Sequence, residues 1–64
     1  MDETTVQWIA SLFIERLGGE AQSWAEECRA LHQRNGHESA AAGWRRVAAE
    51  IEGILARREP QAAE

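Results

Sequence analysis

Residues 37–59 read HESAAAGWRRVAAEIEGILARRE, the longest stretch of the chain with one uninterrupted helical pattern. Its apolar residues recur at intervals of three and four, which places them on one face of an α-helix. These residues are Ala40, Trp44, Val47, Ala48, Ile51, Ile54 and Leu55. Because proline lacks the backbone N–H that a helix interior needs, we expect this helix to end near residue 58, before Pro60.

A first shorter helix is predicted over residues 5–17. Thr4 and Gln7 have the spacing of a capping box at its start, and Gly18 with Gly19 is typical of a helix end. Its apolar face consists of Val6, Ile9, Ala10, Phe13, Ile14 and Leu17. This face can pack against the apolar face of the longest helix.

A second shorter helix is predicted over residues 20–35, where Asn35 and Gly36 form a strong stop signal. Its apolar stripe consists of Ala21, Trp24, Ala25, Cys28, Leu31 and His32. The stripe is about 120° wide, as expected of a helix that packs on one side.

Three amphipathic helices with short connections predict an all-α fold, a small antiparallel three-helix bundle. The bundle would form one domain over residues 1–59, with helices at about 5–17, 20–35 and 38–58. Residues 60–64 would form a disordered tail. We expect Trp24, Trp44 and Phe13 to be the large side chains at the centre of the bundle.

The length and the net charge of the chain narrow the range of functions it can have. A 64-residue chain has a core that rarely contributes more than about 3–5 kcal/mol, so it gains much from further burial. The net charge of −4 disfavours binding to nucleic acid or to an anionic membrane surface. Cys28 is the sole cysteine. With no signal-like or membrane-spanning segment, the chain is expected to be cytoplasmic and reduced.

The chemically reactive side chains cluster between residues 28 and 37. Cys28 and His32 are four residues apart on one helix face, and His37 follows across the Gly36 turn. A structural zinc site needs four ligands and no fourth is evident, so we expect no metal and no other cofactor, with these three residues as the low-ranked candidates. Cys28 on a core face also lacks the access that a nucleophile needs. We therefore predict no enzymatic activity, no catalytic residue and no small-molecule substrate.

Arg45 and Arg46 are the candidate nucleic-acid contacts. Neighbouring residues on a helix point about 100° apart, so the two arginines do not make one dense patch. Arg46 is spaced to pair with Glu50, and Arg45 lies seven residues before Glu52. The pattern favours a solvated, neutralised helix face over a nucleic-acid interface.

Gly43 and Gly53 lie inside the longest helical pattern, where glycine costs about 1 kcal/mol relative to alanine. Together with Ala42 and Ala49, they form a strip with little side-chain volume on the outer face of that helix. Close approach of another helix is one explanation for such a strip.

Trp8 and Leu12 fall on the back of the first helix, beside Ser11 and Glu15. Large aromatic residues are enriched at interaction hot spots, so we predict a partner-binding surface formed by Trp8, Leu12 and Ile9. The alternative is that the N-terminal residues fold over Trp8 and Leu12, or that a tilt of the bundle half-buries both. The predicted function is a protein-interaction or regulatory module that binds a protein partner or forms a homodimer through the first helix. The alternatives are a small metal- or nucleic-acid-binding factor and a phage or mobile-element protein that inhibits a host complex.

Two sequence segments also resemble a family of short alphaproteobacterial proteins of unknown function. The first match consists of Trp8, Leu12, Phe13, Ile14, Glu15 and Gly19, and the second of Gly36, Glu38, Trp44, Arg45, Val47 and Ala48. His37 stands where the family has an aspartate. The resemblance implies a small helical protein and brings no activity, cofactor or catalytic residue with it.

Overall fold

The computed structural model describes the backbone of residues 1–63 and the side chains of residues 1–57. The chain forms helix α1 (Glu3–Leu17), a 3₁₀ turn (Gly18–Glu20), helix α2 (Ala21–Arg34) and helix α3 (Glu38–Ala63). Residues 1–63 contain no strand. The all-α class is therefore confirmed.

The predicted antiparallel bundle of three separate helices is not confirmed. From Glu3 to Arg34 the chain is helical without a loop, and only residues 35–37 separate this first helical run from α3. Gly18 has φ 57° and ψ −127°, values that turn the chain sharply, and the 3₁₀ turn leads directly into α2. Both α1 and α2 pack mainly on α3 and contact each other less.

Helix α1 begins two residues earlier than the sequence predicted. Asp2 is its N-cap, and its Oδ1 accepts a hydrogen bond from the Thr5 backbone N–H at 2.8 Å. The expected capping box at Thr4 and Gln7 is therefore wrong, because Thr4 already lies in the first helical turn. The hydrogen bond from the Thr5 backbone lowers the pKa of the Asp2 carboxyl below its usual value of 3.8.

Helix α3 extends beyond its predicted end near residue 58, to Ala63. The fixed φ of proline is compatible with helical geometry, although its ring and missing N–H disturb the hydrogen-bond ladder. The predicted tail, residues 60–64, falls where the structure describes no side chains, and Glu64 lies outside the described residues. The division between a domain and a disordered tail stays a prediction.

The core of the protein is built largely from small side chains. Val47 and Ile51 are the largest side chains that are fully buried. The buried residues that cluster around them are Val6, Ala10, Ile14, Ala21, Ala25 and Ala48. Because alanine lets helix backbones approach closely, little room is left between the helices for a large ring.

Trp24 was expected at the centre of the fold, and this is wrong. Its side chain is 48% exposed, whereas Ala21 and Ala25 on the same helix are fully buried. These two alanines form the part of α2 that meets the core, and Trp24 lies at the edge of the stripe. Phe13 and Trp44 are half-buried and pack against the core rather than filling it.

Candidate functional site

Trp8 on α1 is the most exposed large apolar side chain among residues 1–57, at 64% of its full accessibility. Leu12, one helical turn later, is half-buried. Both residues line a shallow groove with Ser11 and Glu15. Ile9, the third predicted contact residue, is partly buried and packs against the core. The structure therefore presents Trp8 and Leu12 together, while partner binding by all three residues stays a prediction.

A second apolar surface lies on α2, and the sequence analysis assigned it to the core. Trp24 and Leu31 are 48% and 50% exposed, and Cys28 between them is half-buried. These residues line a shallow depression with Glu27 and Arg34. The apolar stripe of α2 is wide enough to have two edges. The edge with Ala21 faces the core, and the edge with Trp24 and Leu31 does not. The alanine spacing was the signal that could have identified the exposed edge.

Cys28 is a poor nucleophile in this position. Burial raises the pKa of its thiol above the usual 9.0, and the nearby Glu27 carboxylate raises it further. Because the thiolate is the reactive form, both effects reduce its population at neutral pH.

The two histidines meet across the turn between α2 and α3. The Nδ1 atoms of His32 and His37 lie 3.5 Å apart, and the ring centroids are 5.7 Å apart with planes inclined by 43°. His37 is exposed and His32 is half-buried. Within the described residues, no group of three or more His, Cys, Asp or Glu side chains is positioned to hold a metal ion. Cys28 thus does not join the histidines in a three-ligand set.

The arginines of α3 do not make the predicted ion pairs. Arg46 Nη1 donates a hydrogen bond to the Met1 carbonyl oxygen at 3.1 Å instead of pairing with Glu50. Among the side chains of residues 1–57, the sole ion pair joins Arg29 and Glu26 on α2, at 2.9 Å. This hydrogen bond links the N-terminal residue to α3.

Met1 covers part of the strip that contains the helix glycines. A Cβ atom added at Gly43 would lie 3.1 Å from Met1 Cε and 3.3 Å from Met1 Cβ. At Gly53, the same atom would meet the flexible Arg57 side chain at 3.4 Å, and no other side chain among residues 1–57. The close neighbour of Gly43 is therefore the first residue of the chain rather than another helix.

Comparison with protein-family models, curated proteins and solved structures gave no match to this chain. The resemblance to the alphaproteobacterial family stays a prediction. Within the part of the chain that the structure describes, no helix combines the length and the apolar character needed to cross a membrane.

Proposed function

We propose that this chain is a small non-enzymatic protein-interaction module whose contact surface is the exposed side of α1, with a second copy of the chain as its partner. The observation that carries the proposal is the 64% exposure of Trp8 beside the half-buried Leu12. Tryptophan in a desolvated contact is among the residues that contribute most to binding. A tryptophan that stays exposed to water contributes less to the stability of the folded chain than one that is buried in a contact.

The energy available from this surface is large relative to the rest of the protein. A tryptophan buries about 150–250 Å² in a contact, at about 25 cal/mol per Å² of apolar surface. Covering the exposed part of Trp8 thus contributes on the order of 3 kcal/mol per copy, before the costs of association. The core of such a short chain contributes only about 3–5 kcal/mol. Self-association is therefore a strong source of extra stability for this molecule.

A two-fold symmetric contact suits a single surface of this kind. In such a contact the same residues of both copies face each other, so Trp8 of one copy can pack against the α1 surface of its partner. Ser11 and Glu15 border the groove and would form the polar rim. Ile9 supports this surface from the core side. The proposal includes a cytoplasmic setting, where Cys28 stays reduced.

The test is the solution mass by light scattering across about a hundredfold dilution. Trp8→Glu is the disrupting variant. Trp24→Glu is the matched control, because it makes the same change on an exposed tryptophan of α2. We expect a wild-type dimer, a folded Trp8→Glu monomer and a Trp24→Glu dimer, with folding checked by circular dichroism.

Two results would overturn the proposal. A folded wild-type monomer at every concentration excludes self-association. A dimer that Trp24→Glu dissociates and Trp8→Glu leaves intact moves the contact from α1 to α2.

A further inference from the structure

We infer that His32 and His37 form a two-point chelating site for one zinc ion or a similar divalent transition-metal ion. Their Nδ1 atoms are 3.5 Å apart, and the ring centroids are further apart, at 5.7 Å. The two Nδ1 atoms are therefore the parts of the rings that face each other. Neutral imidazole nitrogens of this kind are common zinc ligands.

The separation fits the size of the ion. Zinc binds histidine nitrogen at about 2.0–2.1 Å with tetrahedral geometry, so two such ligands lie about 3.3–3.4 Å apart. The observed distance of 3.5 Å exceeds this span by only about 0.1–0.2 Å. A proton shared between the two nitrogens is the competing explanation, and it makes a long hydrogen bond at this distance.

The turn holds the two ligands in register. His32 lies in the last turn of α2, and His37 directly precedes α3. The His37 backbone N–H donates to the His32 carbonyl oxygen at 2.8 Å, and the Ala41 N–H donates to the His37 carbonyl oxygen at 2.9 Å. Gly36, with φ 78°, supplies the left-handed residue that this turn requires. The backbone at both histidines is thus fixed before any ion arrives, which reduces the entropy cost of binding.

The donor set selects the class of ion. Imidazole nitrogen suits zinc, copper and nickel, whereas calcium and magnesium require oxygen ligands. Two protein ligands leave the other coordination positions to water, so the ion exchanges readily and binds less tightly than in a four-ligand structural site. Binding would stabilise the α2–α3 turn, because the unfolded chain does not hold the two rings together.

The test is a titration of tag-free protein with zinc chloride. Calorimetry measures the affinity and the number of ions bound, and thermal unfolding measures the melting temperature. The variants are His32→Gln and His37→Gln. The matched control is Cys28→Ser, which alters the nearest thiol and leaves both imidazoles in place. Calcium chloride serves as the control ion, and circular dichroism confirms that each variant is folded.

We expect one zinc per chain and a rise in the melting temperature with zinc but not with calcium. Each histidine variant should lose at least about tenfold in affinity, because the second ligand then no longer binds intramolecularly. Cys28→Ser should bind like the wild type. The inference is wrong if zinc has no effect, if only one histidine matters, or if Cys28→Ser abolishes binding.

Discussion

The ring of Phe13 on α1 packs against the ring of Trp44 on α3, with centroids 5.5 Å apart and planes inclined by 41°. Tilted aromatic pairs at this distance contribute about 0.5–1.5 kcal/mol beyond the area they bury. Both rings also pack against the buried cluster around Val47 and Ile51. Since that cluster is rich in alanine, this pair brings two large side chains to the contact between α1 and α3.

Replacing the two rings singly and together should reveal their coupling. Phe13→Leu and Trp44→Leu should each lower the free energy of unfolding by about 1–2 kcal/mol, because leucine fills the site incompletely. The double variant should lose about 0.5–1.5 kcal/mol less than the sum of the single losses. Chemical denaturation followed by circular dichroism measures all three values. Strictly additive losses would mean that the rings do not stabilise each other.

The Asp2 carboxylate should stabilise α1 in a pH-dependent way. Its folded pKa lies below 3.8 because it accepts a hydrogen bond from the Thr5 backbone N–H. A carboxyl whose pKa falls on folding stabilises the native state above its unfolded pKa, and this contribution disappears as pH falls through the folded pKa. Asp2→Ala should therefore lower the melting temperature near neutral pH, and the difference from wild type should shrink as the pH is lowered past 3.8 and through the folded pKa.

Two variants control this experiment. Asp2→Asn keeps the capping oxygen without the titratable charge, so its difference from Asp2→Ala should persist in acid. Thr4→Ala removes the hydroxyl that the sequence pattern suggested as the cap. A larger loss of melting temperature in Thr4→Ala than in Asp2→Ala would show that the cap is Thr4 after all.

The helical content was predictable because it follows from a local property, the recurrence of apolar residues every three to four positions. The helix ends near Leu17 and Arg34 followed from glycine in the same local way. The position of Trp24 did not. Its helix face was identified, but its depth in the fold depends on how closely α2 approaches α3, which Ala21 and Ala25 determine together with residues far away in the sequence.

The candidate site, too, was predictable where it depends on local sequence and not where it depends on the path of the chain. The position of Trp8 was predictable, since α1 has apolar residues on a face that the core does not use. Its exposure was not, because the sequence left open whether the N-terminal residues would cover it. The approach of His32 to His37 was not, because it depends on the path of the chain through Asn35 and Gly36. Spacing alone placed His32 with Cys28 on one helix face, whereas the turn brings it to His37.

The two glycines inside α3 should respond differently to alanine. Gly53→Ala should raise the free energy of unfolding by about 0.5–1 kcal/mol, because alanine favours the helix and the new methyl meets the flexible end of Arg57 rather than a rigid neighbour. Gly43→Ala should raise it less or lower it, because Met1 must shift away from the new methyl. That shift also disturbs the hydrogen bond from Arg46 to the Met1 carbonyl.

Thermal and chemical denaturation of the two glycine variants provide the comparison, and each serves as the control for the other. An equal or larger gain at Gly43 would contradict the packing of Met1 on α3. In that case Met1 moves aside without loss of stability, and its contact with Arg46 contributes nothing measurable to the free energy of unfolding.

The three tryptophans should differ in their contact with water. Trp8 and Trp24 are 64% and 48% exposed, whereas Trp44 is half-buried beside Phe13. In three variants that each keep one tryptophan and carry phenylalanine at the other two positions, Trp44 should emit at the shortest wavelength and be quenched least by acrylamide. The measurement is made on the monomer at high dilution, so that no second copy covers Trp8. If Trp24 is instead the best protected, it lies in the core as its apolar stripe first suggested, and the exposed surface on α2 does not exist.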